Sequence, residues 1–171
     1  QFFSGNKLDI ELLTDLEMLP YDLNPPIRGL KASRSKTFYK LACGQTRLLI
    51  LNAQNLLWRI PKPSFFTGNA KELKTSDQIQ IDDIQDIFSI NGYERVNVVT
   101  FPGEYSIRGS IIDFYSTINR FGVRIDLMDD TIDSMRQFDI ETQLTIEPIE
   151  SCRVIPVDLF SKTRKEIEFF K

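Results

Sequence analysis

The chain has 171 residues, of which 42% are hydrophobic and 26% charged, and its net charge is −3. This composition is typical of a globular protein and argues against disorder, and no apolar run approaches the ~18 residues needed to span a bilayer. Because the sequence contains no histidine, it excludes a zinc site of the usual kind and any Ser–His–Asp or Cys–His catalytic centre.

Charge is distributed unevenly along the chain. Residues 1–68 carry nine basic and five acidic side chains, a net charge of +4, whereas residues 69–156 carry eight basic and sixteen acidic ones, a net charge of −8. We therefore expect that residues 69–156 do not bind nucleic-acid phosphates over their whole surface, while residues 1–68 could face DNA.

The ends and the cysteines add two expectations. The chain starts at Gln1, without an initiator methionine and without the charged-then-apolar order of a signal peptide, which predicts a fragment. Cys43 and Cys152 lie far apart and show no metal-binding spacing, so we expect both thiols to be reduced and buried.

Residues 1–68 are predicted to alternate strands and helices. "LDIELL" has the period of a strand, and the connector "LPYDLNPPIRG" is rich in turn residues. Before the helix stop at Gly44, four residues recur at helical spacing: Leu30, Arg34, Phe38 and Leu41. "RLLILN" is typical of a strand covered on both faces, and "AQNLLWRI" of a short helix closed by "PKPSFFTG". This β–α–β–α order favours a parallel sheet with covering helices.

Residues 69–156 are predicted to form a small α+β domain. "AKELK" is a short strand followed by a turn at Ser76–Asp77. Ile81, Ile84, Ile87 and Phe88 form one face of a helix that stops at Asn91–Gly92. The runs that follow are typical of strands at hairpin spacing: "RVNVVTF", "EYSIRGSIIDFY", "GVRIDLMD", "TIDSMRQFD" and, after a looped stretch, "SCRVIPV". They predict a curved antiparallel sheet with one helix, and Gly109 inside a strand indicates a bulge or a close backbone approach.

Motifs for nucleotide chemistry are missing from the sequence. It contains neither Gly-x-x-x-x-Gly-Lys-Ser/Thr nor Gly-x-Gly-x-x-Gly. The chain as given therefore cannot bind the phosphates of ATP through either of these loop motifs. We therefore expect that it is not an enzyme by itself, and that it holds no cofactor and no metal.

Acidic and aromatic clusters offer two further candidate sites. Asp113, Asp126 and Asp130, with their neighbours in "MDDTID", could support a two-metal nuclease, but alternating strands and turns favour aspartate for structural reasons. Trp58 and the pair at Phe65–Phe66 could stack on bases, yet their apolar setting favours packing in a core or between domains.

One strand presents a more specific pattern. In "VRIDLM", alternation places Arg124, Asp126 and Met128 on one face, and Arg108 lies one strand earlier. Arginine and large side chains are enriched in interface hot spots, so this face is a candidate docking surface. On the residues alone, Arg124 pairing with Asp126 or a cross-strand acid is an equally good interpretation.

Several motifs resemble a known family. "DLEMLPYD", "ASRSKTFYKL", "GYERVNVV", "GEYSIRGSIIDFY", "VRIDLMDDTIDSMRQFDIETQLTIE" and "VIPV" resemble the N-terminal region of bacterial transcription-repair coupling factors (Mfd), over nearly the whole chain. The densest motif, R-G-x-I-I-D followed by R-I-D-x-x-D-D-x-I-D-S, is similar to the module that these factors share with the excision-repair helicase subunit UvrB.

The resemblance implies a fold and a division into domains. Residues 1–68 would be part of a UvrB-like α/β domain of the P-loop type, degenerate and no longer hydrolysing ATP. Residues 69–156 would be the α+β domain that binds UvrA, and residues 157–171 would return towards the first domain.

The resemblance also implies a function, which is recruitment of the nucleotide-excision repair protein UvrA to stalled transcription. The longer relatives would use ATP and magnesium in DNA-translocating motor domains that push RNA polymerase off damaged double-stranded DNA, in the cytoplasm and without a membrane. The UvrA-contacting positions would be Arg108, Arg124 and Met128, where methionine replaces a residue that is usually aromatic.

Two other functions remain open at this point. One is a fragment of a UvrB-type excision-repair helicase subunit, which shares the module. The other is the metal-dependent nuclease that would use Asp113, Asp126 and Asp130.

Overall fold

The computed structural model describes residues 9–15 and 28–159. Most of the predicted connector and residues 160–171 of the predicted return segment lie outside them. In chain order the elements are β1 (Ile10–Leu12), α1 (Arg28–Ala42), β2 (Leu48–Ile50), a 3-10 helix (Ala53–Leu57), α2 (Pro63–Asn69), β3 (Lys71–Lys74), α3 (Ile81–Ile90), β4 (Glu94–Arg95), β5 (Glu104–Arg108), β6 (Ile111–Phe114), β7 (Gly122–Met128), β8 (Thr131–Phe138), β9 (Thr145–Ile149) and β10 (Ser151–Val154). Within these residues, no helix is long and apolar enough to cross a membrane.

The first segment has the predicted β–α–β order. β1 and β2 pair in parallel, from Ile10↔Leu48 to Leu12↔Ile50, and α1 connects them in the sequence. α1 ends before Gly44, whose φ of +68° is the left-handed conformation of a helix stop. The parallel pairing is therefore confirmed for two strands, while the assignment of this segment to the P-loop type stays a prediction.

Two details of the first segment differ from the predictions. β2 is not covered on both faces by the described residues, since Leu48 and Ile50 are about half exposed. "PKPSFFTG" does not merely close a helix but forms α2, because Pro63 occupies the first helical turn, where its fixed φ favours a helix and its missing N–H costs nothing.

A buried arginine links the elements of this segment. Arg34 on α1 donates from Nη1 to the Thr14 backbone oxygen and, at 2.6 Å, to Asn55 Oδ1 in the 3-10 helix. Burial lowers the pKa of this guanidinium below its ordinary value. The helical spacing predicted for Arg34 is confirmed, and its side chain connects α1 to the end of β1.

The predicted α+β domain contains a six-stranded sheet in the order β4-β5-β6-β7-β8-β9. All neighbours are antiparallel except β4 and β5, which pair in parallel over two residues. Ile84 and Phe88 of α3 are completely buried with the inward side chains of the sheet, as the stripe on α3 predicts. α3 ends at Ile90 with Asn91 as its C-cap, and Gly92 follows with a φ of +79°.

Three predictions for the sheet are wrong. Gly109, with a φ of +63°, lies in the two-residue turn between Arg108 and Ile111 and not inside a strand. The predicted loop after β8 contains a strand, β9. "RVNVVTF" forms only the end of β4, because beyond Val96 its backbone bonds to side chains instead of to a strand. Asn97 O accepts from Ser106 Oγ, and the N–H groups of Thr100 and Phe101 donate to the Glu104 carboxylate.

The two segments pack on each other. β10 pairs with β3 in antiparallel register. Pro156, which follows β10, contacts α1, because its backbone oxygen accepts a hydrogen bond from Ser35 Oγ. Ala32 of α1 belongs to the same buried cluster as α3 and the sheet. The domain boundaries at residues 68 and 156 stay predictions.

Candidate functional site

The candidate site lies on the face of the sheet that points away from α3, which we call the outer face. A row of directly paired residues crosses four strands of this face: Ser106, Asp113, Arg124 and Arg136. Directly opposite residues point to the same side of a sheet. Register therefore brings together polar side chains that are far apart in the sequence.

Asp113 is the centre of this row. Its side chain is 2% exposed, and its Oδ1 accepts a hydrogen bond of 2.7 Å from Arg124 Nε, while its Oδ2 accepts one of 3.0 Å from Arg124 Nη2. Arg108, the diagonal neighbour on β5, donates from Nη2 to the same Oδ2 at 2.5 Å. One buried carboxylate thus holds two guanidinium groups from two different strands.

Arg124 is held on its other side by an aromatic ring. Its guanidinium carbon lies 5.0 Å from the centre of the Phe138 ring, a distance at which cation and ring attract each other. The far end of the ring lies against Gly122, where an added Cβ atom would come within 2.3 Å of it. The hydrogen bonds that Arg124 donates to Asp113 raise the pKa of Arg124, and partial burial acts in the opposite direction.

The charge on the next strand, Arg136 of β8, is paired separately. Arg136 stands directly across from Arg124, an arrangement of like charges that would be destabilising alone. Arg136 Nη2 instead bonds to Asp126 Oδ2, which also accepts a hydrogen bond from Ser134 Oγ. The expected alternative, in which Arg124 pairs with a cross-strand acid, is therefore realised with Asp113 and not with Asp126.

Part of the outer face is covered by the chain itself. The segment of residues 96–101 runs across one end, where Asn97 O accepts from Ser106 Oγ and Val99 O accepts from Gln143 Nε2 at 3.1 Å. Val99 and Phe138 are buried at this end. The other end is open, and the side chains of Arg108 and Met128 there are 54% and 69% exposed.

The three predicted site residues lie on the same outer face, but they do not all meet in one place. Arg108 is level with Asp126 along the strands, because both pair with Ile111. Met128 lies four residues beyond Arg124 on β7, about 13 Å along the strand. The structure therefore joins Arg108 and Arg124 through Asp113 and places Met128 apart, at the open end of the face.

Sequence reasoning missed the residues that support the two arginines. Asp113 was considered as a metal ligand or as a structural strand residue but not as the partner of both arginines, and Gly122 and Phe138 were not considered. A signal was available for Asp113, since arginines in both flanking strands predict a cross-strand acid once the register is known. No sequence signal pairs Gly122 with Phe138 before the register is known.

The carboxylates of the nuclease hypothesis already have partners in the protein. Asp113 is bound by two arginines, Asp126 by Arg136, and Asp130 accepts from Gln80 Nε2 at 3.5 Å. Within residues 9–15 and 28–159, no group of three or more Cys, Asp or Glu side chains is arranged to hold a metal ion.

Two other expectations about single residues are partly wrong. Phe66 is buried with Phe38 in the core of the first segment, but Trp58 is 39% exposed. Cys152 is buried as expected, whereas Cys43 is exposed at the end of α1, and both thiols are free.

The family of this chain follows from comparison with known proteins. Residues 72–160 match the UvrB interaction domain, so the chain belongs to the UvrB interaction domain family. The matched range contains α3, the six-stranded sheet and β10, and therefore the whole candidate site.

The chain is also similar to transcription-repair-coupling factors. It is 33% identical to that of Escherichia coli over 93% of this chain, 32% identical to that of Haemophilus influenzae over 95%, and 29% identical to that of Bacillus subtilis over 85%. These matches span only 13–14% of the length of the relatives. These relatives carry the coupling of transcription to repair in their name.

Proposed function

We propose that this chain recruits UvrA through the open end of the outer face. The observation that carries the proposal is the pair of arginines, Arg108 and Arg124, fixed on one face by the carboxylate of Asp113. Their two positive charges are only partly balanced by one carboxylate, so the group remains cationic and fits an acidic partner surface.

The two arginines would contribute to UvrA binding in different ways. Arg124 is 19% exposed and held by Asp113 and Phe138, which makes it a preorganised donor that loses little freedom on binding. Arg108 is more exposed and uses one nitrogen for Asp113, which leaves Nε and Nη1 for a partner carboxylate. Met128 would add a flexible apolar contact.

The wider role is proposed from the relatives. In a longer protein of this kind, the chain would bring UvrA to lesions at which RNA polymerase has stalled on double-stranded DNA, in the cytoplasm. ATP and magnesium would serve motor domains elsewhere in that protein, and the present chain would act by binding and not by catalysis.

The test is binding of purified UvrA to the unmodified chain and to the double variant Arg108→Ala, Arg124→Ala, measured by biolayer interferometry. Losing either arginine should cost about 2 kcal/mol if its contact is desolvated, roughly a thirtyfold loss of affinity. Arg120→Ala is the matched control, since Arg120 is exposed in the same domain and lies in the β6–β7 connection.

Circular dichroism of the double variant checks that the sheet is intact. If the folded double variant binds UvrA as tightly as the unmodified chain, the proposed docking surface is wrong.

A further inference from the structure

An open groove lies beside Arg108, on the β4 side of the sheet. Its volume is about 550 Å³, and it is lined by Arg95, Val96, Asn97, Ser106, Ile107 and Arg108. The lining contains two arginines and no carboxylate. Nothing in the sequence pattern pointed to Arg95, because β4 was predicted as part of one long strand.

The groove forms where β4 leaves β5. Pairing between these strands ends at Arg95↔Tyr105, with one further hydrogen bond from Val96 N to Tyr105 O. Asn97 is then drawn towards the Ser106 hydroxyl, and the chain turns across the outer face. The edge of β5 that faces away from β6 therefore has no strand partner from Ser106 to Arg108 among the described residues.

An uncovered strand edge accepts an extended segment through backbone hydrogen bonds. Arg95 and Arg108 border the groove. Among the described residues, the hydrogen-bond partner of the Arg95 guanidinium is the neutral side-chain amide of Gln85, at 3.5 Å. Carboxylates of an extended segment lying along β5 would meet a cation at each end.

We propose that this groove binds an extended acidic segment of the partner that docks on Arg108 and Arg124. The inference rests on the proposed function, since it takes UvrA as that partner. It assigns Arg95 to the interface and extends the contact from the outer face around the β5 edge.

The experiment measures the affinity of purified UvrA for four variants of the full chain: Arg95→Ala, Arg95→Glu, Arg95→Lys and the control Arg120→Ala. An arginine near the rim of an interface predicts about a fivefold loss for Arg95→Ala and a larger loss for Arg95→Glu, with Arg95→Lys close to the unmodified chain. The loss should shrink as salt rises from about 0.05 M to 0.5 M, because screening weakens exposed charge pairs. Arg120→Ala should bind within about twofold of the unmodified chain.

The outcomes separate this inference from the proposed function. If the double variant Arg108→Ala, Arg124→Ala weakens binding while Arg95→Ala and Arg95→Glu bind like the unmodified chain, the groove is not part of the interface and the proposed docking surface stands. If the unmodified chain does not bind UvrA, both proposals are overturned. Because Arg95 is exposed, its variants should keep the circular dichroism spectrum and melting temperature of the unmodified chain.

Discussion

Arg124 and Asp113 face each other across β6 and β7 and share two hydrogen bonds, of 2.7 Å and 3.0 Å. Because Asp113 is buried and also holds Arg108, this pair orders the charged part of the outer face. The carboxylate is thus a positioning group for both arginines of the proposed docking surface.

Replacement of Asp113 by Asn should weaken both the fold and the docking surface. The substitution keeps the shape but removes the charge that balances two guanidinium groups, and breaking a largely buried ion pair costs about 3 kcal/mol of unfolding free energy. Urea unfolding measures this loss, and UvrA affinity should fall about tenfold or more. Asp133→Asn, which removes an exposed charge on β8, should change the free energy of unfolding by less than about 0.5 kcal/mol. Equal stability of the two variants would contradict the role given to Asp113.

Replacement of Gly122 by Ala should displace the ring under Arg124. The new Cβ would lie 2.3 to 2.8 Å from three atoms of the Phe138 ring, which must move. We expect a loss of about 1–3 kcal/mol in unfolding free energy, since overpacking forces side chains from their preferred positions. Thermal unfolding is the measurement, and Gly68→Ala is the control because an added Cβ there meets no atom within 4 Å. An unchanged melting temperature for Gly122→Ala would show that the ring is not confined.

Replacement of Met128 by Phe should strengthen UvrA binding without changing the stability of the chain. The side chain is 69% exposed, so the fold does not depend on it, while a rigid ring buries more apolar area with less loss of freedom. We expect about a threefold gain for Phe and a comparable loss for Ala in biolayer interferometry. If Met128→Ala and Met128→Phe bind equally well, this position lies outside the interface.

Cys152 should make the stability of the chain depend on pH in the alkaline range. Burial raises the pKa of this thiol from 9.0 to about 12. Between these pH values the Cys152 thiol has lost its proton in the unfolded chain and keeps it in the folded chain. Stability is therefore complete below pH 9 and falls as pH rises, by up to about 1.4 kcal/mol per pH unit.

The measurement is urea unfolding at pH 8 to 11 for the unmodified chain and for Cys152→Ala. The alanine variant should start less stable, because it leaves a small cavity, but lose less stability with rising pH. Parallel losses in the two proteins would show that Cys152 does not titrate as its burial requires.

Local sequence patterns predicted much of the secondary structure because the forces involved are local. The apolar stripe of α3, its stop at Gly92, and the alternation of β7 each depend on residues a few positions apart. The prediction failed for residues 96–101, where side chains of β5 compete for the backbone. Strand β9 was missed because its side chains are mostly exposed and give no alternating pattern.

The sequence by itself determined the mixed α and β composition, the exclusion of histidine chemistry, and the face on which Arg124 and Met128 lie. It also carried the resemblance that the family match bears out. Only the tertiary structure decided which acid binds the arginines, that Phe138 lies under one of them, and that a groove opens beside Arg95. The physical reason is register: alternation along one strand assigns a side chain to a face, but only the alignment of neighbouring strands determines which side chains meet on it.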